Sequence, residues 1–223
     1  LSGLRAWQGR TEVPLLQLDK TTWRADCADA RTLRVSYRVY AFDTSVRTAF
    51  LDDRRGFFNG TSLCLRVTGR EADPHVVTLG RLPRGWSVAT AMPSTGEREY
   101  TAADYDELVD HPFELGTFWR GEFEACGVPH EFIVAGAWPG WDGQRLLDDT
   151  RRICEQQIRF WHGHAGAAPP FGRYVFMLNA VDEGYGGLEH RASTALIAAR
   201  RDLPRPGMET LPDGYVTLLG LIS

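Results

Sequence analysis

Lysine is almost absent from this chain of 223 residues, because Lys20 is the only lysine among 25 basic side chains. We interpret this bias as a consequence of genomic base composition, as in some bacteria, and not as a binding device. The chain also lacks the run of roughly 20 apolar residues that a membrane-spanning helix requires. Its net charge is −4, and it has no basic cluster of the kind that binds nucleic acid. We therefore expect neither a membrane span nor a nucleic-acid partner.

Cysteine is scarce, and its spacing does not suit the usual metal or redox motifs. The four cysteines, Cys27, Cys64, Cys126 and Cys154, lie far apart without a C-x-x-C spacing. Cys154 falls on the apolar face of a predicted helix and Cys64 falls within a predicted strand, so we expect free, buried thiols. A disulfide in an oxidising compartment remains open as an alternative.

The first 138 residues have the pattern of many short strands. Residues 33–39 alternate between apolar and polar side chains, which is typical of a sheet with one buried face. Turn signals separate further strand-like runs at 13–18, 62–68, 75–79, 86–92, 118–126 and 131–135. Asn59-Gly60 is predicted as a hairpin turn in preference to a glycosylation site, and residues 104–110 as a helical turn. This arrangement favours a β-sandwich-like domain over a βαβ fold.

The pattern changes after the W-P-G-W segment at 138–141. Asp142 is a suitable N-cap for a helix that runs to about His162, with Gly163 as its C-cap. His162 and His164 are interpreted as cations beside the helix end and not as a metal pair, and 165–172 as a loop. Residues 173–181 form an apolar run typical of a central strand. The predicted fold class is α+β, with a β-rich domain at 1–138 and a second domain at 139–223.

The most informative stretch is V-D-E-G-Y-G-G-L-E-H-R-A-S-T-A-L-I-A-A at 181–199. Glycine allows another backbone to approach closely, and the residues from 192 to 199 favour a strand. We predict an edge strand there, whose free backbone groups pair with an extended peptide while Glu189 meets a positive charge. An ordinary glycine-rich turn followed by a solvated glutamate is the alternative from the residues alone.

The G-G-L-E-H segment followed by x-x-S-T resembles the signature of the glycyl-aminopeptidase family of zinc metallopeptidases. Segments resembling that family occur in the same order at 18–24 (L-D-K-T-T-W-R), 39–48 (V-Y-A-F-D-T-S-V-R-T), 51–53, 57–63 (F-F-N-G-T-S-L) and 102–110 (A-A-D-Y-D-E-L-V-D). The resemblance implies a β-rich N-terminal domain, a thermolysin-like α/β catalytic domain and often a PDZ domain.

The chain departs from that family in one respect, since it contains no H-E-x-x-H zinc motif. Its His-Glu pair is His130-Glu131, with Val134 at the second ligand position, and it follows a turn into a predicted strand. Two histidines must share one helix face to bind a single zinc. An apolar helix is expected from Tyr215 to the end of the chain. We expect the zinc ligands to lie beyond Ser223, on its continuation, so this chain contributes no catalytic or metal residue.

The resemblance implies an aminopeptidase that hydrolyses peptides at a free N-terminus and favours glycine or alanine. Glu189 is similar to the glutamate with which such enzymes bind the α-ammonium group, and Gly186 and Gly187 would leave room for the substrate backbone. His190 matches the family, whereas more distant aminopeptidases have asparagine there. A non-catalytic peptide- or protein-binding module of the same fold is the alternative. We expect a cytoplasmic protein, with the periplasm as the other compartment, and the oligomeric state is open.

Overall fold

The computed structural model describes residues 1–163 and 169–223. His164 and the first part of the predicted loop at 165–172 lie outside these described residues. The chain divides into two compact units, Leu1–Ala41 and Phe42–Ser223. Each unit is described by itself below.

The first unit consists of short antiparallel strands. They are β1 (Ser2–Gln8), β2 (Thr11–Val13), β3 (Leu15–Gln17), β4 (Trp23–Ala25) and β5 (Leu33–Arg38). β1 is the central strand of the sheet β2–β1–β5, and β3 pairs with β4. The buried side chain of Gln8 donates to the backbone oxygens of Asp29 and Arg31, 3.0 Å away in each case, and so fixes the loop before β5. The strand predicted from the alternation at 33–39 is confirmed.

The second unit begins with two small antiparallel sheets, ordered β6–β7–β12–β9 and β10–β11–β8. Their strands are β6 (Ala49–Leu51), β7 (Arg55–Phe58), β8 (His75–Thr78), β9 (Ser87–Ala89), β10 (Ser94–Gly96), β11 (Glu99–Ala102) and β12 (Phe113–Gly116). Helix α2 (Tyr105–Val109) lies between the last two strands, and the Asp104 carboxylate caps it by accepting from the backbone N–H of Glu107. The helical turn predicted at 104–110 is confirmed.

Two local predictions in this part are wrong. Asn59 is the N-cap residue of helix α1 (Gly60–Leu63) and not part of a hairpin turn. Its buried side-chain amide donates to the backbone oxygen of Val46, and this long-range contact overrides the Asn-Gly turn preference. The strand predicted at 62–68 is absent from the described structure, where residues 64–67 follow α1 without regular structure.

The rest of the second unit is built on a five-stranded sheet, ordered β13–β14–β15–β17–β16. Its elements are β13 (Trp119–Ala125), β14 (Val128–Ala135), α3 (Gly143–His162), β15 (Tyr174–Val181), β16 (Tyr185–Glu189), β17 (Ser193–Ala199), a 3-10 turn (Arg200–Asp202) and α4 (Asp213–Ile222). β14, β15 and β17 are parallel, so β14–α3–β15 is a βαβ unit. The strands predicted at 118–126 and 131–135 are β13 and β14, and they pair into this sheet.

Helix α3 confirms its predicted limits, with Asp142 as N-cap and Gly163 as C-cap. It packs with α4 on one face of the five-stranded sheet, where the core includes Leu146, Phe176 and Leu196. Helix α4 begins two residues earlier than predicted, at Asp213. The opposite face of the sheet packs on side chains from the preceding part of the unit, namely Val46, Phe57 and Ala89.

The α+β fold class is confirmed, with most regular structure in strands of several sheets. None of the helices among the described residues is both long enough and apolar enough to cross a membrane. The boundary at 138/139 and the thermolysin-like character of the second domain stay predictions. All four thiols are free, but Cys27 and Cys126 are exposed, so the expectation of buried thiols holds for Cys154 and fails for these two.

Candidate functional site

The edge of the five-stranded sheet lies one strand earlier in the chain than predicted. β17 is paired on both sides, with β15 and with β16, so residues 193–199 do not form an edge. The glycine-rich stretch forms the edge strand itself, β16 (Tyr185–Glu189), instead of a turn. Glycine has a low strand propensity, but pairing with the buried strand β17 supplies the extended structure. The predicted edge therefore exists, and the four predicted site residues lie on it or directly after it.

Gly187 and Glu189 share the face of β16 that points toward helix α4. They pair with Leu196 and Thr194 of β17 in the antiparallel register. A Cβ atom on Gly187 would lie 3.8 Å from both Glu189 Oε1 and Leu221 Cδ2. The Glu189 carboxylate therefore lies beside a residue without a side chain. Glu189 is exposed, and among the described residues no hydrogen bond or ion pair engages its carboxylate.

Gly186 and Leu188 lie on the opposite face of β16, because side chains alternate along a strand. Leu188 packs against Val46, Phe57 and Ala195, and so anchors the edge strand to the preceding part of the unit. A Cβ atom on Gly186 would meet nothing within 4 Å. Packing within the described residues therefore does not account for glycine at position 186.

The segment after Glu189 is held by the carboxylate of Asp110, the C-cap residue of helix α2. Asp110 Oδ1 lies 3.1 Å from His190 Nδ1, and Asp110 Oδ2 accepts from the backbone N–H of Arg191 at 3.1 Å. The Arg191 guanidinium lies 3.2 Å from the same Oδ2 atom. The backbone N–H of His190 donates to Ser193 at 2.8 Å and closes the turn into β17. His190 thus serves as a contact to α2 in this structure, with its side chain 6% exposed.

Charged and buried groups surround this turn. Burial lowers the pKa of the neighbouring His111, the charges of Glu107 and Asp110 raise it, and that of His190 lowers it. Burial raises the pKa of Tyr174, its hydrogen bond to Thr194 lowers it, and negative charges including those of Glu189 and Asp110 raise it further. Tyr174 therefore remains a neutral phenol beside the Glu189 end of the edge strand.

The described residues do not fit a zinc ion. Within 1–163 and 169–223, no three or more His, Cys, Asp or Glu side chains come together in an arrangement that could hold a metal. His130 lies in strand β14, where its Nδ1 contacts the backbone oxygen of Val128 at 2.8 Å and its ring stacks on Phe123. Burial lowers the pKa of His130, which favours the neutral imidazole of a core residue.

Comparison with protein families identifies the chain. A family described as the Peptidase M61 N-terminal domain matches residues 1–117, which is more than half of the sequence. The chain belongs to the peptidase M61 family. Asp110 lies inside the matched domain, whereas Glu189 and the edge strand of this M61 chain lie beyond it.

Solved structures and curated proteins provide further relatives of the M61 chain. An aminopeptidase N family protein from Idiomarina loihiensis matches 99% of this chain with a TM-score of 0.91 and 38% identity, over 38% of its own length. An M1 zinc metallopeptidase from Deinococcus radiodurans matches 86% of this chain and 49% of its own, with a TM-score of 0.47 and 15% identity. The 4-aminobenzoate N-oxygenase of Streptomyces thioluteus is 30% identical over 118 residues, 51% of this chain and 35% of that protein. The chain thus spans little more than a third of the first and third of these relatives.

The structure brings the predicted residues Gly186, Gly187, Glu189 and His190 together on one edge, and their roles in binding stay predictions. Sequence reasoning missed two side chains beside them, Asp110 and Tyr174. Asp110 is 80 residues from His190 in sequence, and a contact of that separation leaves no local pattern. The sequence feature that includes Asp110 is the segment at 102–110, which resembles the family but does not indicate a contact with His190.

Proposed function

We propose that this chain is the substrate-binding portion of a zinc-dependent aminopeptidase that hydrolyses peptides at a free N-terminus and favours glycine or alanine. The observation that carries the proposal is the exposed Glu189 carboxylate at the end of the edge strand β16, which has no hydrogen-bond or ion-pair partner among the described residues. Membership of a peptidase family supports the hydrolytic class. A PDZ domain is a further expectation that the family resemblance suggests, and a cytoplasmic location is a further proposal.

The geometry of the edge strand suits an extended peptide. A strand at the edge of a sheet offers unpaired backbone N–H and C=O groups, so a peptide can add to the sheet as a further strand. Gly186 and Gly187 present no side chains that would obstruct the approach. A peptide whose first residue lies beside Glu189 would place its α-ammonium group against a carboxylate, and charge-assisted hydrogen bonds of this kind are strong. Binding there would fix which peptide bond is available for cleavage.

Zinc enters this proposal only outside the described residues. Those residues bring no metal-binding group together, and we derive no step through the metal. When bound, zinc in hydrolases activates a water molecule. The role of this chain is to bind the peptide and to orient its amino end.

Replacement of Glu189 tests the proposal in the full-length protein. We expect Glu189→Gln to lower kcat/KM on glycyl and alanyl substrates. The fall should correspond to a loss of about 2–4 kcal/mol in transition-state stabilisation, because a charge pair that binding desolvates would be lost. Glu124→Gln is the matched control, since Glu124 is an exposed glutamate on the opposite edge strand. Activity on N-acetylated peptides, which lack the ammonium charge, should not fall further in the Glu189 variant. An equal loss on free and acetylated peptides would refute the assignment of Glu189.

The alternative is a peptide-binding module without catalysis, and the open edge strand favours it equally, since strand addition requires no metal. Measurement of peptide binding and cleavage in the same preparation separates the two. Cleavage that a zinc chelator abolishes supports the aminopeptidase. Binding of free-amine peptides that depends on Glu189, without cleavage, supports the module.

A further inference from the structure

We propose that Asp110 is a positioning residue for Glu189: it fixes the turn after the edge strand and thereby the location of the carboxylate that meets the peptide's amino end. This inference rests on the proposed role of Glu189 in binding an amino group. It assigns to the M61 N-terminal domain, which contains Asp110, a direct contribution to the geometry of the binding edge.

Asp110 uses both carboxylate oxygens on two consecutive residues. One oxygen contacts the imidazole of His190, and the other accepts from the backbone N–H of Arg191 and forms an ion pair with its guanidinium. The backbone contact constrains the main chain itself, two residues after Glu189. A carboxylate that accepts several hydrogen bonds at once fixes both the position and the orientation of its partners.

The helix that presents Asp110 is firmly held. Leu108 is buried in a cluster with Met92, Ala102 and Phe113, and the backbone N–H of Asp110 donates to Asp106 and to Glu107. Asp110 therefore transmits the position of a packed helix to the turn. On its other side the turn leads into β17, whose first residue, Ser193, is fully buried.

Alternation along the chain separates the two functions of neighbouring residues. Glu189 lies on the face of β16 toward α4, near Leu221, whereas His190 reaches Asp110 of α2. One residue can therefore remain free for a ligand while the next is committed to the scaffold. Supporting contacts of this kind determine whether a binding group is held in its productive position.

Asp110 provides the hydrogen-bond partner of the His190 imidazole, at its Nδ1 atom. Its Nε2 atom is buried without a hydrogen-bond partner among the described residues, so the contact of Nδ1 with Asp110 is the one that holds the ring. Because a carboxylate oxygen accepts, Nδ1 is the donor in this contact. Loss of the Asp110 acceptor would leave a nearly buried side chain without a polar partner, and the turn would then shift.

The first experiment measures kinetics in the full-length protein. We expect Asp110→Asn to raise KM for free-amine peptides about tenfold or more, because an amide offers one acceptor where two are used. Asp106→Asn is the matched control, since Asp106 is an exposed aspartate one helical turn earlier. His190→Asn, which keeps a donor near the Nδ1 position, should lose less affinity than His190→Leu. Unchanged KM and unchanged selectivity over acetylated peptides in Asp110→Asn would overturn the proposal.

The second experiment does not depend on peptidase activity. In nitrogen-15 NMR spectra of the protein, we expect a proton on His190 Nδ1. We also expect the Glu189 backbone amide signal to shift in Asp110→Asn but not in Asp106→Asn. An unmoved Glu189 signal would overturn the positioning role even if peptides are cleaved. A moved signal in a protein that cleaves no peptide would preserve the positioning role and refute the aminopeptidase function, so the two failures are distinguishable.

Discussion

The two outer strands of the five-stranded sheet are built in opposite ways. Along the outer strand β13, half-buried residues alternate with exposed charged residues. The half-buried residues lie beneath helix α3 and are Trp119, Gly121 and Phe123, and the exposed ones are Arg120, Glu122 and Glu124. The outer strand β16 carries two adjacent glycines and a single charged residue, Glu189, at its end. Charged side chains on an edge strand prevent the addition of another strand.

Of the two edges, β16 carries fewer charged side chains that would hinder the addition of an extended peptide. Glu122 of β13 lies opposite Glu131 of β14, which is buried between Arg120 and Arg173. This network belongs to the scaffold and closes the β13 edge with charge. Among the described residues, no such charge network lies on the β16 edge, so we expect the two edges to respond in opposite ways to substitution.

Removal of the buried carboxylate at the β13 edge should have the largest effect. We expect Glu131→Ala to lower the free energy of unfolding by about 3 kcal/mol, the lower end for a broken buried ion pair, because both arginines are partly exposed. The control is Glu122→Ala, because Glu122 is exposed and lies opposite Glu131 in the sheet. We expect its free energy of unfolding to change by no more than about 0.5 kcal/mol. Urea denaturation measures both, and equal losses would contradict the difference in burial.

Substitution of the glycine in β13 should have the next largest effect. A Cβ atom on Gly121 would lie 2.4 Å from the end of the Trp119 ring and 2.8 Å from Leu147 Cδ1. Trp119 cannot move freely, because it packs on Trp141 with ring centroids 4.8 Å apart. We expect Gly121→Ala to destabilise the protein by about 1–3 kcal/mol, as in other overpacked sites. A melting temperature equal to that of the parent protein would show that the ring relocates without cost.

Elements with strong local signals were predictable from the sequence. Helix α3 has a carboxylate N-cap at Asp142 and a glycine C-cap at Gly163, and both its ends were placed correctly. The apolar run at 173–181 was recognised as a central strand, β15. In each case the residues that determine the element lie within it or at its ends.

The strand order and the surroundings of the site were not predictable in this way. A period of two identifies a strand but not its partner, so the pairing of β14 with β15 could not be predicted, and the edge was predicted at β17 instead of β16. The glycines of β16 favour a turn locally, and only pairing with Leu196 and its neighbours makes them a strand. Asn59 behaves likewise, since its contact with Val46 is long-range. Tertiary pairing decided each of these positions.

Acid should weaken the β13 side of the sheet through His130. Burial lowers the pKa of this imidazole, so the unfolded chain binds its proton more tightly than the folded chain does. The corresponding stability is present above the ordinary histidine pKa and is lost as the pH falls through the lowered value. We expect His130→Phe, which keeps a ring against Phe123, to lose less unfolding free energy between about pH 7 and about pH 5. Burial also lowers the pKa of His111, so part of the pH dependence should remain in the variant. A loss of unfolding free energy identical to that of the parent protein would contradict the assignment to His130.

Substitution of the first β16 glycine, Gly186, should have the smallest effect on stability. Because a Cβ atom on Gly186 meets nothing within 4 Å, we expect Gly186→Ala to leave the free energy of unfolding unchanged or to raise it by up to about 1 kcal/mol. The same variant should bind extended peptides less tightly if the glycine serves close approach of a backbone. Urea denaturation and peptide titration of one preparation measure the two responses. Unchanged or higher stability together with weaker peptide binding would distinguish Gly186 of β16 from Gly121 of β13, which serves internal packing. Unchanged peptide affinity would mean that the edge does not bind through this residue.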